Sequence, residues 1–220
     1  STDRTLMLGP LTTYTDLRGN AEVGKLFPNL IRSAEVTGAL AIQNRGTLGG
    51  NIVNGSPAAD SPPSLLAYDA DVELRSAQGA RWLSYAAFHT GYKRNVLQPG
   101  ELLTRILLRK AEGPGFHYYR KVGTRATQSI AKVSLALHAQ AVGGLLTTFR
   151  VALGAVAPVP LRAARVEALL RGEPLAGLRI REAVAALQED IAPIDDLRSS
   201  ARYRRRVAGN LLEEALGGLL

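Results

Sequence analysis

The chain has 220 residues, 46% of them hydrophobic and 21% charged, so it can bury a sizeable core and lies far from the disordered class. It contains no cysteine, which excludes disulfides, thiolate metal sites, an iron–sulfur cluster held by this chain and a cysteine nucleophile. Its formal net charge of +8 calls for an anionic partner: nucleic acid, a phosphate-bearing cofactor or an acidic protein surface.

No apolar run reaches the roughly 18 residues that a membrane-spanning helix needs. Ser1-Thr2-Asp3-Arg4 lacks the basic-then-apolar order of a secretory leader. A cytoplasmic protein with no membrane partner is the expectation. Much of the positive excess sits late, at Arg198, Arg202, Arg204, Arg205 and Arg206. No aromatic stacking pattern accompanies it, so it reads as a solvated or subunit-facing helix and no nucleic-acid partner is expected.

In chain order, residues 5–9 read as a short buried strand entering a turn. Thr12 or Thr13 can cap a helix over residues 14–17. Helical pieces come next at 20–26 and 28–37, the second started by Pro28. From Gly38 to Pro63, Gly, Asn, Ser and Pro dominate and neither helical nor strand period holds; a stretch this long without regular structure is usually functional or disordered. After it comes a helix with Pro near its first turn. Val72 to Arg75, a Gln78-Gly79 turn and Ala80 to Leu83 predict a β-hairpin. Strands are expected at 102–108 and 116–121.

Residues 131–142 and 145–154 carry the clearest period of two. Val133, Leu135, Leu137 and Ala139 alternate with Ser134, Ala136, His138 and Gln140; Leu145, Phe149, Val151 and Leu153 form the matching apolar row across Gly143-Gly144. This predicts an antiparallel hairpin with His138 on the solvent side. Helices are expected at 161–171, 179–189 and 199–217. The fold class is α+β. The three histidines, His89, His117 and His138, read as too scattered for a metal site, and Asp195-Asp196 reads as a cap between helices.

The segment Asn44-Arg45-Gly46-Thr47-Leu48-Gly49-Gly50-Asn51-Ile52-Val53-Asn54-Gly55-Ser56-Pro57-Ala58-Ala59-Asp60 is the most informative. Adjacent glycines remove the Cβ atoms that hold a ligand off the backbone, and consecutive amides in such a turn can cradle a diphosphate. Thr47 and Asn51 add uncharged donors. The spacing fits neither a Walker A loop nor a dinucleotide fingerprint. On local chemistry alone, an ordinary turn is the favoured reading.

The same segment closely resembles the second flavin-binding segment of the flavin subunits of molybdenum hydroxylases, the xanthine dehydrogenase, aldehyde oxidase and carbon monoxide dehydrogenase family. Further matches are Asp69-Ala70-Asp71-Val72-Glu73-Leu74, Phe88-His89-Thr90-Gly91-Tyr92-Lys93, Pro99-Gly100-Glu101-Leu102-Leu103 and Lys121-Val122-Gly123-Thr124-Arg125-Ala126. Ile130-Ala131-Lys132-Val133 and Ile191-Ala192-Pro193-Ile194-Asp195-Asp196-Leu197-Arg198-Ser199 continue the order, which extends over about residues 5 to 216.

The resemblance implies FAD as cofactor, with the diphosphate at Thr47, Gly49, Gly50 and Asn51 and Val53 against the isoalloxazine ring. It implies flavin ribityl or ribose contacts for Asp60, for which a helix cap before Ser61-Pro62 is the plain alternative. It gives Leu103 a backbone contact to the ring's polar edge and Lys121 a contact to the flavin's carbonyl side. Tyr92 and Lys93 resemble residues beside the face that NAD approaches in NAD-using members. A molybdenum cofactor subunit and an iron–sulfur subunit with 2Fe–2S clusters are the implied partners, and NAD is one acceptor. The domains implied are a partial FAD-binding α/β subdomain over 1–113, whose first subdomain with its Ala-Gly-Gly-Thr-Asp type of loop is missing, and a C-terminal antiparallel sheet packed with helices over 114–220. A second reading is a scaffold subunit without flavin that only docks these partners.

Overall fold

The computed structural model describes residues 1–220 as two antiparallel sheets with helices. The chain opens with β1 (Thr5–Leu8), then α1 (Tyr14–Gly19), α2 (Ala21–Leu26), α3 (Pro28–Glu35), α4 (Leu40–Gln43), α5 (Leu48–Asn54) and α6 (Pro62–Ala67). The hairpin β2 (Asp71–Ser76) and β3 (Gly79–Ser84), the small pair β4 (His89–Gly91) and β5 (Arg94–Asn95), and β6 (Leu102–Arg109) complete the first unit. Its sheet runs β1-β6-β2-β3. The second unit holds β7 (Phe116–Val122), β8 (Val133–Val142), β9 (Leu145–Gly154) and β10 (Leu161–Arg162), in the order β10-β9-β8-β7, with α7 (Ala164–Leu170), α8 (Ile180–Asp190) and α9 (Ala201–Gly217). No helix is long and apolar enough to cross a membrane.

Local chemistry explains the helix starts. Thr13 accepts from the amide of Asp16 while the Asp16 carboxylate accepts from the amide of Thr13, a reciprocal cap on α1. Asn20 caps α2, Pro28 opens α3 and Ser200 caps α9. The stretch 38–63 departs from the irregular path expected: it contains α4 and α5, whose seven residues or fewer are too short to register a helical period. The helix expected at 161–171 starts at Ala164, because Leu161 and Arg162 pair with β9.

Gly143 and Gly144, with φ of 60° and 80°, make the tight turn between β8 and β9. A register shift at Gln140/Ala141 changes which residues near the turn face the core. Leu146 becomes fully buried and Leu145 is 48% exposed, so Leu145 does not belong to the apolar row expected for it.

The larger correction concerns the second sheet's other face. Val133, Leu135, Leu137, Phe149 and Val151 pack with residues of α7, α8 and α9 in one core, as the alternation predicts. The opposite face is not solvated: α3 and α6 of the first unit lie against it. His138, expected in solvent, is 3% exposed. A buried seam of hydrogen bonds joins the units. Asn29 donates to the carbonyl of Leu137 at 3.0 Å and Tyr119 to that of Asp60 at 3.0 Å, while Ser64 ties α6 to α3 through the carbonyl of Asn29.

His117 and His138, far apart in sequence, stack here with ring centroids 4.8 Å apart. Burial pushes the His117 and His138 imidazoles down to about 4 and about 3. Both therefore sit below the unfolded value of about 6.5, so the unfolded chain takes up protons that the folded one resists. Stability is expected to fall with pH from about 6.5 towards 4, by up to about 1.4 kcal/mol per pH unit for the buried His138 and by less for the partly exposed His117. Denaturant unfolding of wild type and His138→Gln between pH 7 and 4 checks this; equal slopes would assign the loss to other groups.

Candidate functional site

The Gly-rich segment forms the first turn of α5, seated on the loop between β1 and α1. Thr47 is its N-cap, and its Oγ1 accepts from the amide of Gly50 at 3.1 Å. The amides of Leu48 and Gly49 donate to the carbonyls of Thr12 and Pro10, each at 2.9 Å, and that of Asn51 to the carbonyl of Thr47 at 3.0 Å. The bare amides expected to reach a diphosphate are thus engaged within the protein. What the turn still offers is side-chain chemistry: the Thr47 hydroxyl hydrogen and the Asn51 amide Nδ2, neither of which finds an acceptor in the fold. Gly49 is glycine for packing, since a Cβ there would stand 2.7 Å from both Cβ and the carbonyl oxygen of Pro10.

Asp60 and Lys121, read as separate ligand contacts, are brought together. Lys121 Nζ donates to Asp60 Oδ2 at 2.8 Å and to the carbonyl of Val36 at 3.1 Å, with only 2% of its side chain exposed. Asp60 caps nothing; the N-cap of α6 is Ser61. Burial pushes the Asp60 carboxyl up, and the adjacent Lys121 charge works against that. Its second oxygen, Oδ1, is buried and accepts no well-aligned hydrogen bond; the nearby Thr37 hydroxyl, which helps hold the carboxyl down, donates to the carbonyl of Ser33 instead. Next to it, Ser61 donates to Asn51 Oδ1 at 2.6 Å, which turns Asn51 Nδ2 outward as a donor. The Tyr14 hydroxyl, buried beside Ser61 and Asp60 and without a well-aligned hydrogen bond, completes the cluster. Sequence reasoning gives no site role to Tyr14 or Ser61; Tyr14 reads there only as an apolar helix residue.

The other expected positions lie around this cluster. Val53 is 37% exposed on the last turn of α5, and its carbonyl accepts from Asn95. The Leu103 side chain packs into the first core, so any ligand contact it makes is through its backbone. That backbone is on β6, whose pairing with β1 ends at Ile106 and leaves that edge uncovered from Leu102 to Arg105. Tyr92 and Lys93, both exposed, stand at the mouth of a cleft of about 600 Å³ that also meets Ser56, Pro57 and Ile130. Arg204, expected among solvated arginines, is 4% exposed and donates to the carbonyls of Lys132 and Ala155. No group of three or more His, Cys, Asp or Glu is placed to hold a metal.

Two family models match the chain. Residues 1–108 match the FAD binding domain in molybdopterin dehydrogenase, and residues 117–219 match the CO dehydrogenase flavoprotein C-terminal domain. The xanthine dehydrogenase FAD-binding subunit of Escherichia coli O157:H7 is 30% identical over 217 residues, 97% of this chain and 74% of that protein. This chain belongs to the FAD-binding subunits of the molybdenum hydroxylases. The carbon monoxide dehydrogenase medium chain of Afipia carboxidovorans is 32% identical over 96% of this chain and 73% of its own. The solved carbon monoxide dehydrogenase of Hydrogenophaga pseudoflava superposes with a TM-score of 0.93 at 28% identity, covering 99% of this chain and 75% of that one. As a molybdenum-hydroxylase flavin subunit the chain is part of an oxidoreductase, and the cluster suits its cofactor: an unpaired buried carboxylate oxygen is an acceptor for a polyol hydroxyl, and Thr47 and Asn51 supply uncharged donors.

Proposed function

We propose that this subunit holds FAD at the cluster of Thr47, Asn51, Val53, Asp60 and Lys121 and relays electrons from iron–sulfur clusters on one partner subunit, fed by a molybdenum centre on another. The reading rests above all on Asp60, a buried carboxylate with one oxygen held by Lys121 and the other accepting no well-aligned hydrogen bond. Bound FAD would supply the change between one- and two-electron transfer that such a relay needs. The protein's part is placement and electrostatics. Asn51, oriented by Ser61, and the Thr47 hydroxyl would bind the diphosphate; Asp60 Oδ1 would accept from the sugar alcohol. Lys121 would keep a positive charge at the site and favour electron density on the bound ring. Gly50 would let the turn lie close against the ligand while Gly49 seats it on Pro10, Leu103 would contribute backbone from the open edge of β6, and Tyr92 and Lys93 would flank the approach of NAD or another acceptor. The units 1–113 and 114–220 would then meet at the flavin, with Asp60 from one and Lys121 from the other.

The test is flavin affinity, read by quenching of FAD fluorescence and by the visible spectrum of the purified protein. Asn51→Leu and Thr47→Val each remove one donor without touching the core, and each is expected to weaken FAD binding about tenfold, the scale of one hydrogen bond to a charged group. Unchanged affinity in both variants would overturn the placement. A colourless complex that still carries iron–sulfur and molybdenum partners would mark the chain as a docking scaffold.

A further inference from the structure

The face of β8 and β9 turned towards the first unit carries a second set of loosely held donors. Lys121 lies in the row Lys121–Ser134–Gly154, whereas the row His117–His138–Arg150 crosses the same sheet four residues further along β8. At about 3.4 Å per residue the two rows are roughly 14 Å apart. Two concavities open beside the second row. The smaller, about 180 Å³, lies at the seam between the units and is lined by Tyr68, Lys110, His138 and Gln140 among others; the larger, about 430 Å³, is lined by Asp69, Arg162 and Arg171. Thr148 and Arg150 line both.

Most cations here are engaged. Arg162 binds Glu167 and Asp69, Arg109 binds Asp71 and the carbonyl of Asp69, and Lys110 binds Glu22 and the carbonyl of Thr2. Arg150 is held most loosely. Its one partner is Asp69, whose Oδ2 it faces at 3.4 Å in an ion pair without a well-aligned hydrogen bond while Arg162 holds Oδ1 at 3.0 Å, and 29% of its side chain is exposed. Arg171 reaches only Glu167, at 3.9 Å, and that carboxylate is held by Arg162 at 2.5 Å. His138, directly opposite Arg150 across the strands, is buried with neither ring nitrogen partnered. The Thr148 hydroxyl has no acceptor either. A half-buried guanidinium held only by a loose ion pair has N–H groups that an anion can satisfy, and two weakly paired forked donors with a hydroxyl suit an ion that offers oxygens in several directions.

We propose that this seam is an oxyanion site of the phosphate class, in which Arg150, Thr148 and Arg171 bind a phosphate or the phosphoryl group of a larger metabolite. The larger cavity, which brings these three donors together, is walled by Asp69 of the first unit and by Thr148, Arg150 and Arg171 of the second, so occupancy bears on their docking. Titration of the intact protein with inorganic phosphate, by calorimetry at constant ionic strength with chloride as the balance, tests it. Saturable phosphate binding is expected, accompanied by a rise in melting temperature. Arg150→Met is expected to weaken it at least about tenfold, the effect of losing a bidentate charged donor. Thr148→Val provides an independent reading that leaves the charges in place, and a several-fold weakening is expected. A response to phosphate equal to that of chloride, or unchanged binding in both variants, overturns the proposal, as does loss of phosphate binding when FAD is added, which would place the ion in the flavin site. Glycerol 3-phosphate separates the sources: tighter binding than phosphate identifies a phosphorylated metabolite as the occupant, weaker or equal binding the free ion, and either outcome supports the site.

Discussion

Lys121→Met is expected to lower folding stability by about 3 kcal/mol and to abolish flavin retention. Removing one member of a buried ion pair leaves the other charge uncompensated, which typically costs about 3–5 kcal/mol. Lys121 is 2% exposed and Asp60 10%, so neither water nor salt screens the loss. The pair also ties β7 to the segment before α6, and through the Lys121 bond to Val36 it reaches the end of α3. The penalty should shrink as pH falls. Asp60 is already pushed up by burial, and without Lys121 it is pushed further, so the folded state takes up a proton that the unfolded chain does not. Protonation then removes the unpaired charge, and stability relative to wild type recovers towards acid. The double variant Lys121→Met with Asp60→Asn should likewise recover most of the loss at neutral pH while still failing to hold flavin. Urea unfolding at pH 7.5 and 5 with a visible spectrum of each sample reads all of these. A loss under about 1 kcal/mol in Lys121→Met would mean that water reaches the pair.

Gly49→Ala is expected to cost about 2–3 kcal/mol, more than Gly50→Val, although the second change adds more atoms. The Cβ of an alanine at 49 would lie 2.7 Å from the carbonyl oxygen of Pro10 and 2.9 Å from its Cα, which is backbone that must move as a piece. Overpacking of that kind costs about 1–3 kcal/mol, and the shift lengthens the bond from the Gly49 amide to Pro10. At Gly50 a Cβ meets only Thr47 Oγ1, at 2.9 Å. That hydroxyl can rotate away, which forfeits the cap of α5 for about 1 kcal/mol, partly offset by the conformational gain of replacing a helical glycine. Gly50→Val should therefore stay folded and lose flavin, because it displaces Thr47 and covers Asn51, whereas Gly49→Ala should lose stability first. Melting temperature and flavin retention measured on both variants separate the two roles; a Gly50→Val protein that keeps its flavin would remove the turn from the site.

Strands with an alternating pattern and helices with a capping residue were legible because their causes are local. Thr13 and Pro28 act within three residues of themselves, and the left-handed pair Gly143-Gly144 announces its turn. The residues of the flavin cluster were legible only as a set of matched segments. Sequence does not show that Asp60 and Lys121, 61 positions apart, form one ion pair, or that Ser61 orients Asn51. Nor does it show that the amides of Leu48 and Gly49 are taken by the β1–α1 loop, since those bonds depend on where that loop lies.

The sequence by itself determined the class of the fold, the hairpins and the family, all of which rest on short-range pattern and ordered motifs. The tertiary structure alone decided which faces are buried. A period of two says that a strand has two faces, not that both are covered, and here α3 and α6 cover the face that carries His138, Arg150 and Ala152. That docking is what desolvates the cross-strand pair His117 and His138, buries Lys121 with Asp60 and leaves Arg150 facing a cavity, because long-range packing sets desolvation and desolvation sets the charge chemistry.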